Sequence, residues 1–180
     1  GGAHANNGLD FQECMIMPVG FSTFSEALRA GVEIFQRLKN ILSENSLSTA
    51  VGDEGGFAPN INNLEEALAY ISRAIEKSGY KLGEEIFISI DAAASELYKK
   101  DFYHLIGENK KLNTDELFKY WEGVCKKFPI VSIEDPFDEN DWDGFNELTK
   151  VLGNKLQVVG DDLFVTNKNR LLKGIKENSG

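Results

Sequence analysis

Three short apolar runs in this chain end in a carboxylate. Phe87-Ile88-Ser89-Ile90 is followed by Asp91, Ile130-Val131-Ser132-Ile133 by Glu134, and Leu156-Gln157-Val158-Val159-Gly160 by Asp161. Buried parallel strands read as near-continuous β-branched runs, and α/β folds place their chemistry at the carboxyl ends of such strands. A single acid there commonly caps the next helix or accepts a loop hydrogen bond. Three in succession, two of them doubled by Asp135 and Asp162, ask for a cation, because like charges brought together otherwise cost several kcal/mol or take up protons. Oxygen donors without Cys or His beside them select a hard ion, Mg²⁺ before Zn²⁺. The first acid of each pair is the expected ligand. The second, Asp135 or Asp162, is expected to orient a neighbour or cap the following helix.

A second signal is Val51-Gly52-Asp53-Glu54-Gly55-Gly56-Phe57-Ala58-Pro59. A glycine-rich loop serves as a connector or as a phosphate cradle. Here the glycines flank an Asp-Glu pair, so a cradle would set anion against anion. The better reading is a mobile or tightly turned loop presenting the Glu54 carboxyl group to a substrate. The polar pair Gln12-Glu13 interrupts an apolar run at Phe11–Met17 that Pro18 closes, and His4 lies just ahead of it. His104 reads as a surface residue.

The elements that must carry these groups follow from periodicity. Thr23 and Glu26 have capping-box spacing, and Leu28, Val32, Phe35, Leu38 and Leu42 recur at helical intervals after them. A second helix starts at Asn63, buries Leu64, Leu68, Ile71 and Ile75, and stops at Gly79. A hairpin is expected around Asp101–Leu105 and Gly107-Glu108-Asn109. Thr114 is expected to cap a third helix with Leu117, Trp121, Val124 and Phe128 inward. Further helices cover about 141–152 and 167–176. The helical stripes read as core packing and nothing more. From Phe87 onward strands and helices alternate, which makes a parallel sheet with right-handed crossovers. Acids at successive strand ends favour a curved, barrel-like sheet. A full barrel of this kind takes about 250 residues, so the expectation is an α/β fold holding about half of a TIM-like barrel.

Bulk composition narrows the function classes. The chain has 180 residues, one domain's worth, with 19 basic against 29 acidic side chains and a net charge of −10. That balance argues against non-specific nucleic-acid binding and offers no basic membrane patch. It suits a cation site, although a solvated acidic surface accounts for most of the charge. No stretch approaches the roughly 20 apolar residues of a membrane span. Cys14 and Cys125 read as buried free thiols of a reducing compartment. The opening Gly1-Gly2-Ala3-His4 has neither an initiator Met nor a signal-peptide pattern, as in an excised piece of a longer chain.

Taken together, these segments resemble the enolase family. Gly1-Gly2-Ala3-His4-Ala5-Asn6-Asn7 and Gln12-Glu13-Cys14-Met15-Ile16-Met17-Pro18 look like the opening of that family's large catalytic domain. Gly52–Pro59 matches its most distinctive loop, and Ser132–Pro136 and Gly160–Asn167 match its second and third metal-bearing strands. The resemblance covers all 180 residues in order, as the first part of the catalytic barrel without the small N-terminal domain or the second half of the barrel. It implies reversible, Mg²⁺-dependent dehydration of 2-phospho-D-glycerate to phosphoenolpyruvate by the whole protein. It makes Asp91, Glu134 and Asp161 the Mg²⁺ ligands, with Glu134 and Asp161 also near substrate. Glu54 becomes the general acid, assisted by Glu13, and His4, Gln12 and Glu13 become substrate contacts. It also implies a homo-oligomeric, cytoplasmic protein, with a further surface or secreted pool in the family. The family's catalytic base is a lysine on a later strand, so these 180 residues alone are expected to be inactive. Cys14 replaces the family's usual Phe and Lys168 its common Pro, both at packing or capping positions. Racemases and cycloisomerases of the wider superfamily share the three acids but lack the Gly52–Pro59 loop. A non-catalytic homologue serving as a binding or structural protein is the alternative, against which the retained acids argue.

Overall fold

A computed structural model describes residues 1–180. The sequence signals set most of its elements. A 3₁₀ turn at Gly2–His4 leads to strand β1, Glu13–Pro18, and then to helix α1, Phe24–Glu44. Helix α2, Leu64–Lys77, precedes strand β2, Ile86–Asp91. Three short strands follow, β3 at Tyr98–Lys99, β4 at Phe102–Leu105 and β5 at Lys110–Leu112, before helix α3, Thr114–Lys127. Strand β6, Ile130–Glu134, helix α4, Trp142–Leu152, strand β7, Gln157–Val159, and helix α5, Lys168–Glu177, complete the order.

The main sheet has the order β1-β2-β6-β7, and β3-β4-β5 form a separate antiparallel sheet. The main sheet is open and does not close into a barrel. Strands β2, β6 and β7 run parallel, as their alternation with helices predicts. β1 instead runs antiparallel to β2, with Glu13 opposite Asp91. That direction brings the start of β1 to the same edge as the ends of the parallel strands. Asp91 pairs with Glu134, and Glu134 with Val159, across that edge.

Capping chemistry sets the helix ends. Thr23 Oγ1 accepts the Glu26 N–H, and Asn63 accepts from Glu65 and Glu66. Gly79, at φ +86°, takes the left-handed turn after α2, where a Cβ would be strained. The cap of α3 is Asn113, not Thr114: Asn113 and Glu116 form a reciprocal box, and Thr114 Oγ1 donates to Asp141 at 2.6 Å. Both residues are good caps, and the three-residue reach to Glu116 selects Asn113.

Ile86, Ile88, Ile90, Ile133 and Val158 form the strand layer of the core, covered by Leu68, Ile75, Leu117, Trp121, Phe145 and Leu148. The Trp121 indole donates to the Pro136 carbonyl at 3.0 Å, tying α3 to the turn that follows Glu134. α1 departs from the expected stripe. It buries Ala30, Ile34, Ile41 and Leu42, whereas Leu28, Val32 and Phe35 remain 55%, 53% and 37% exposed. Its 21 residues therefore carry two apolar faces, and α2 and β1 cover one of them. Apolar periodicity reports that a helix has such a face, without saying what meets it. No helix is long and apolar enough to cross a membrane.

Candidate active site and metal centre

The carboxyl edge of the main sheet carries two adjoining groups of side chains. In the first, ligand atoms of Asp91, Glu134 and Asp135 lie within 4.8 Å of one another. Asp91 and Glu134 are the last residues of β2 and β6, so strand register places them side by side. Asp91 is held in place: Gln12 Nε2 donates to its Oδ2 at 3.0 Å, and the Ala93 N–H donates to its Oδ1 at 3.0 Å. Gln12, expected to touch substrate, thus faces this group.

Asp135 is buried and sits at φ +41°. It accepts the backbone N–H groups of Asp161, Asp162 and Leu163 at 3.2, 2.8 and 3.3 Å. Its role is to bind the loop after β7 to the end of β6, as the orienting reading of the second acid anticipates. Asp161 stands next to the group. Its side chain is outside the 4.8 Å cluster, yet its charge contributes to raising the pKa of Glu134.

The second group is His4, Glu13 and Glu54, whose ligand atoms also lie within 4.8 Å of each other. His4 Nδ1 is 3.2 Å from Glu13 Oε1 and 3.6 Å from Glu54 Oε1. The loop that carries Glu54 is tightly turned. The Gly52 N–H donates to the Gly56 carbonyl at 2.8 Å, the Ala58 N–H to Ala50 at 2.8 Å, and the Asp53 N–H to His4 at 3.2 Å. Two glycines make this possible. Gly55 sits at φ +84°, and a Cβ on Gly52 would come within 2.8 Å of the His4 carbonyl. The Glu54 side chain is 62% exposed, held over the sheet edge by main-chain bonds.

Burial, followed by the charges of Asp91, Asp135, Asp161 and Asp162, pushes Glu134 up to about 7. Burial pushes Asp135 up to about 6 against the N–H groups it accepts, and raises Asp91. No Lys or Arg forms an ion pair with any of these acids. Clustered, partly buried carboxylates, oxygen donors only and no protein counter-charge fit a hard divalent cation. Cys14 and Cys125 are free and half-buried, and burial pushes their thiols up to about 12 and 11, so neither offers a thiolate ligand or nucleophile.

These shifts set a pH dependence. The folded-state pKa values of Glu134 and Asp135 lie above their ordinary 4.5 and 3.8, so the folded chain holds protons that the unfolded chain releases. This contribution to stability is fully present below the ordinary values and is lost as pH rises through about 6 and then about 7. The melting temperature in chelator is therefore expected to gain less from these groups at about pH 8 than at about pH 5, and added Mg²⁺ to raise it most at about pH 8. Calorimetry at both pH values checks this, and an increment that is larger at the lower pH contradicts it.

A half-open α/β sheet of the barrel type, with carboxylates gathered at the carboxyl edge of its strands, defines a carboxylate-lined barrel domain. The comparisons with known proteins make the class specific. A family model described as "Enolase, C-terminal TIM barrel domain" matches residues 1–180, and the chain belongs to that family. It is 59% identical over 179 residues to an enolase of Helicobacter acinonychis (strain Sheeba), an alignment covering 99% of this chain and 42% of the relative. An enolase of Helicobacter pylori (strain J99) is 58% identical over the same shares, and one of Natranaerobius thermophilus is 55% identical over 98% and 42%. The chain spans about two-fifths of the length of the curated relatives it matches.

Proposed function

We propose that the full-length protein is an enolase, a hydro-lyase that interconverts 2-phospho-D-glycerate and phosphoenolpyruvate with Mg²⁺. The observation that carries this reading is the pairing of two unlike groups at one sheet edge. Asp91 and Glu134, both half-buried, and the buried Asp135 are acids without a counter-charge, and Glu54 and Glu13 are held beside them on His4. Membership of the enolase family supports the same assignment.

Removing the proton on C2, beside a carboxylate, piles charge onto an existing anion. Asp91, Glu134 and Asp161 would hold a divalent cation, which would supply the positive charge that offsets this build-up. The chain's own residues do the rest of their share. Gln12 fixes the Asp91 carboxylate, and Asp135 fixes the main chain of Asp161. Glu54 donates a proton to the C3 hydroxyl as it leaves, and Glu13 and His4 hold that proton path and contact the substrate. Main-chain bonds on the Gly52–Pro59 loop position the donor before substrate arrives, which lowers the cost of orienting it. The base at C2 is a lysine of the family pattern beyond residue 180, and the homo-oligomeric, cytoplasmic character implied by the resemblance belongs to the same proposal.

The test is turnover by the full-length protein. Phosphoenolpyruvate should form from 2-phosphoglycerate in Mg²⁺ and stop in excess chelator. A folded protein that binds Mg²⁺ and forms none overturns the reading.

A further inference from the structure

We propose that Arg170 is a positioning residue for the cation site: its guanidinium spans the loops after β6 and β7 and so fixes how the Glu134 and Asp161 carboxylates stand to each other. The inference rests on the function proposed above.

Those two loops meet at two levels. In the interior, Asp135 accepts three N–H groups of residues 161–163. Nearer the surface, Arg170 Nε donates to the Leu163 carbonyl of one loop, and an Nη donates to the Glu139 carbonyl of the other. A second Nη reaches Asn140 Oδ1 at 3.3 Å, and the guanidinium carbon lies 5.2 Å from the Trp142 ring centroid. The planar fork of arginine suits this task, since one rigid group addresses two separately anchored carbonyls.

The route of the chain to Arg170 gives the clamp its purpose. Between Asp161 and α5 the backbone turns through Val165 and Thr166 at φ +39° and +55°. Two adjacent β-branched residues in the left-handed region are costly, about 1–3 kcal/mol each, and persist only where their surroundings hold them. Asn167 caps α5 immediately after this turn, accepting from Asn169 and Arg170, and so aims the Arg170 side chain back at Leu163. The strained turn is thereby closed onto the neighbouring loop. Without the clamp, the hydrogen bonds that tie residues 161–163 to the loop after β6 are the three to Asp135.

The experiment is a Mg²⁺ titration of the full-length protein, followed by calorimetry, for wild type, Arg170→Lys, Arg170→Gln and Lys173→Ala. Lys173 also lies over the Trp142 ring, at 4.1 Å, but bridges neither loop. Both Arg170 variants are expected to bind Mg²⁺ about 10-fold to 100-fold more weakly, as groups that orient metal ligands do. Their KM for 2-phosphoglycerate at saturating Mg²⁺ should be unchanged, and Lys173→Ala should bind Mg²⁺ as wild type does. Arg170→Lys keeps the charge and stem packing, so it carries the test if Arg170→Gln does not fold. Wild-type Mg²⁺ affinity in Arg170→Lys overturns this inference alone. A wild type that binds no Mg²⁺ overturns the proposed function, and the inference with it.

Discussion

In the full-length protein, Glu134→Gln is expected to abolish Mg²⁺-dependent turnover of 2-phosphoglycerate while leaving the fold intact. Glutamine keeps the size and one oxygen donor of Glu134 but removes the charge at the centre of the acid group. Groups that merely orient a metal ligand cost 10-fold to 100-fold in affinity when removed, so losing a ligand's charge should cost more than about 100-fold. The stability effect has the opposite sign. Glu134 is raised by burial and by four neighbouring acids, so removing its charge relieves repulsion in the metal-free state. Chelator-treated Glu134→Gln should melt no lower than wild type at about pH 8, where wild-type Glu134 is ionised. Lost activity and Mg²⁺ binding with an unchanged or higher melting temperature is the expected pair of results. Retained Mg²⁺ affinity removes Glu134 from the ligand set.

Glu54→Gln is expected to lower kcat by about 10²–10⁴-fold, the range that a positioned general acid contributes. Mg²⁺ affinity should not change, because Glu54 belongs to the His4–Glu13 group and not to the Asp91–Glu134–Asp135 group. The loop should also hold its shape, since the bonds that close it run through Gly52, Gly56, Ala50, Ala58 and the His4 carbonyl. Steady-state kinetics at saturating Mg²⁺ separate this outcome from a binding defect: kcat falls, and the Mg²⁺ dependence stays in place. A Glu54→Gln protein that turns over at the wild-type rate removes Glu54 from the chemistry.

Local sequence carried the strand ends clearly. A β-branched run stopped by an acid is a strong local signal, and β2, β6 and β7 lie where those runs are, with Asp91 and Glu134 as terminal residues. The helix from Asn63 is equally legible, because cap and periodicity agree there, and the helices expected at about 141–152 and 167–176 lie at those places. Strand direction was not. Glu13 reaches the same edge as Asp91 only because β1 runs antiparallel, and no local pattern records the sense in which a strand pairs. The outward stripe of α1 shows the same limit, since Leu28, Val32 and Phe35 satisfy the helical period without being buried. Asp161 was found by pattern, yet its side chain lies beside the Asp91–Glu134–Asp135 cluster instead of within it. Arg170 had no signal at all. Its partners are main-chain carbonyls of two distant loops, and carbonyls carry no sequence identity.

The central claim is that a hard divalent cation sits among the strand-end acids and draws Asp161 into its ligand set. The most direct measurement is an anomalous difference map from crystals of the full-length protein grown with Mn²⁺, an oxygen-seeking stand-in for Mg²⁺. The account predicts a peak bounded by the carboxylates of Asp91, Glu134 and Asp161. A peak confined to His4, Glu13 and Glu54, or none beside Glu134, contradicts it.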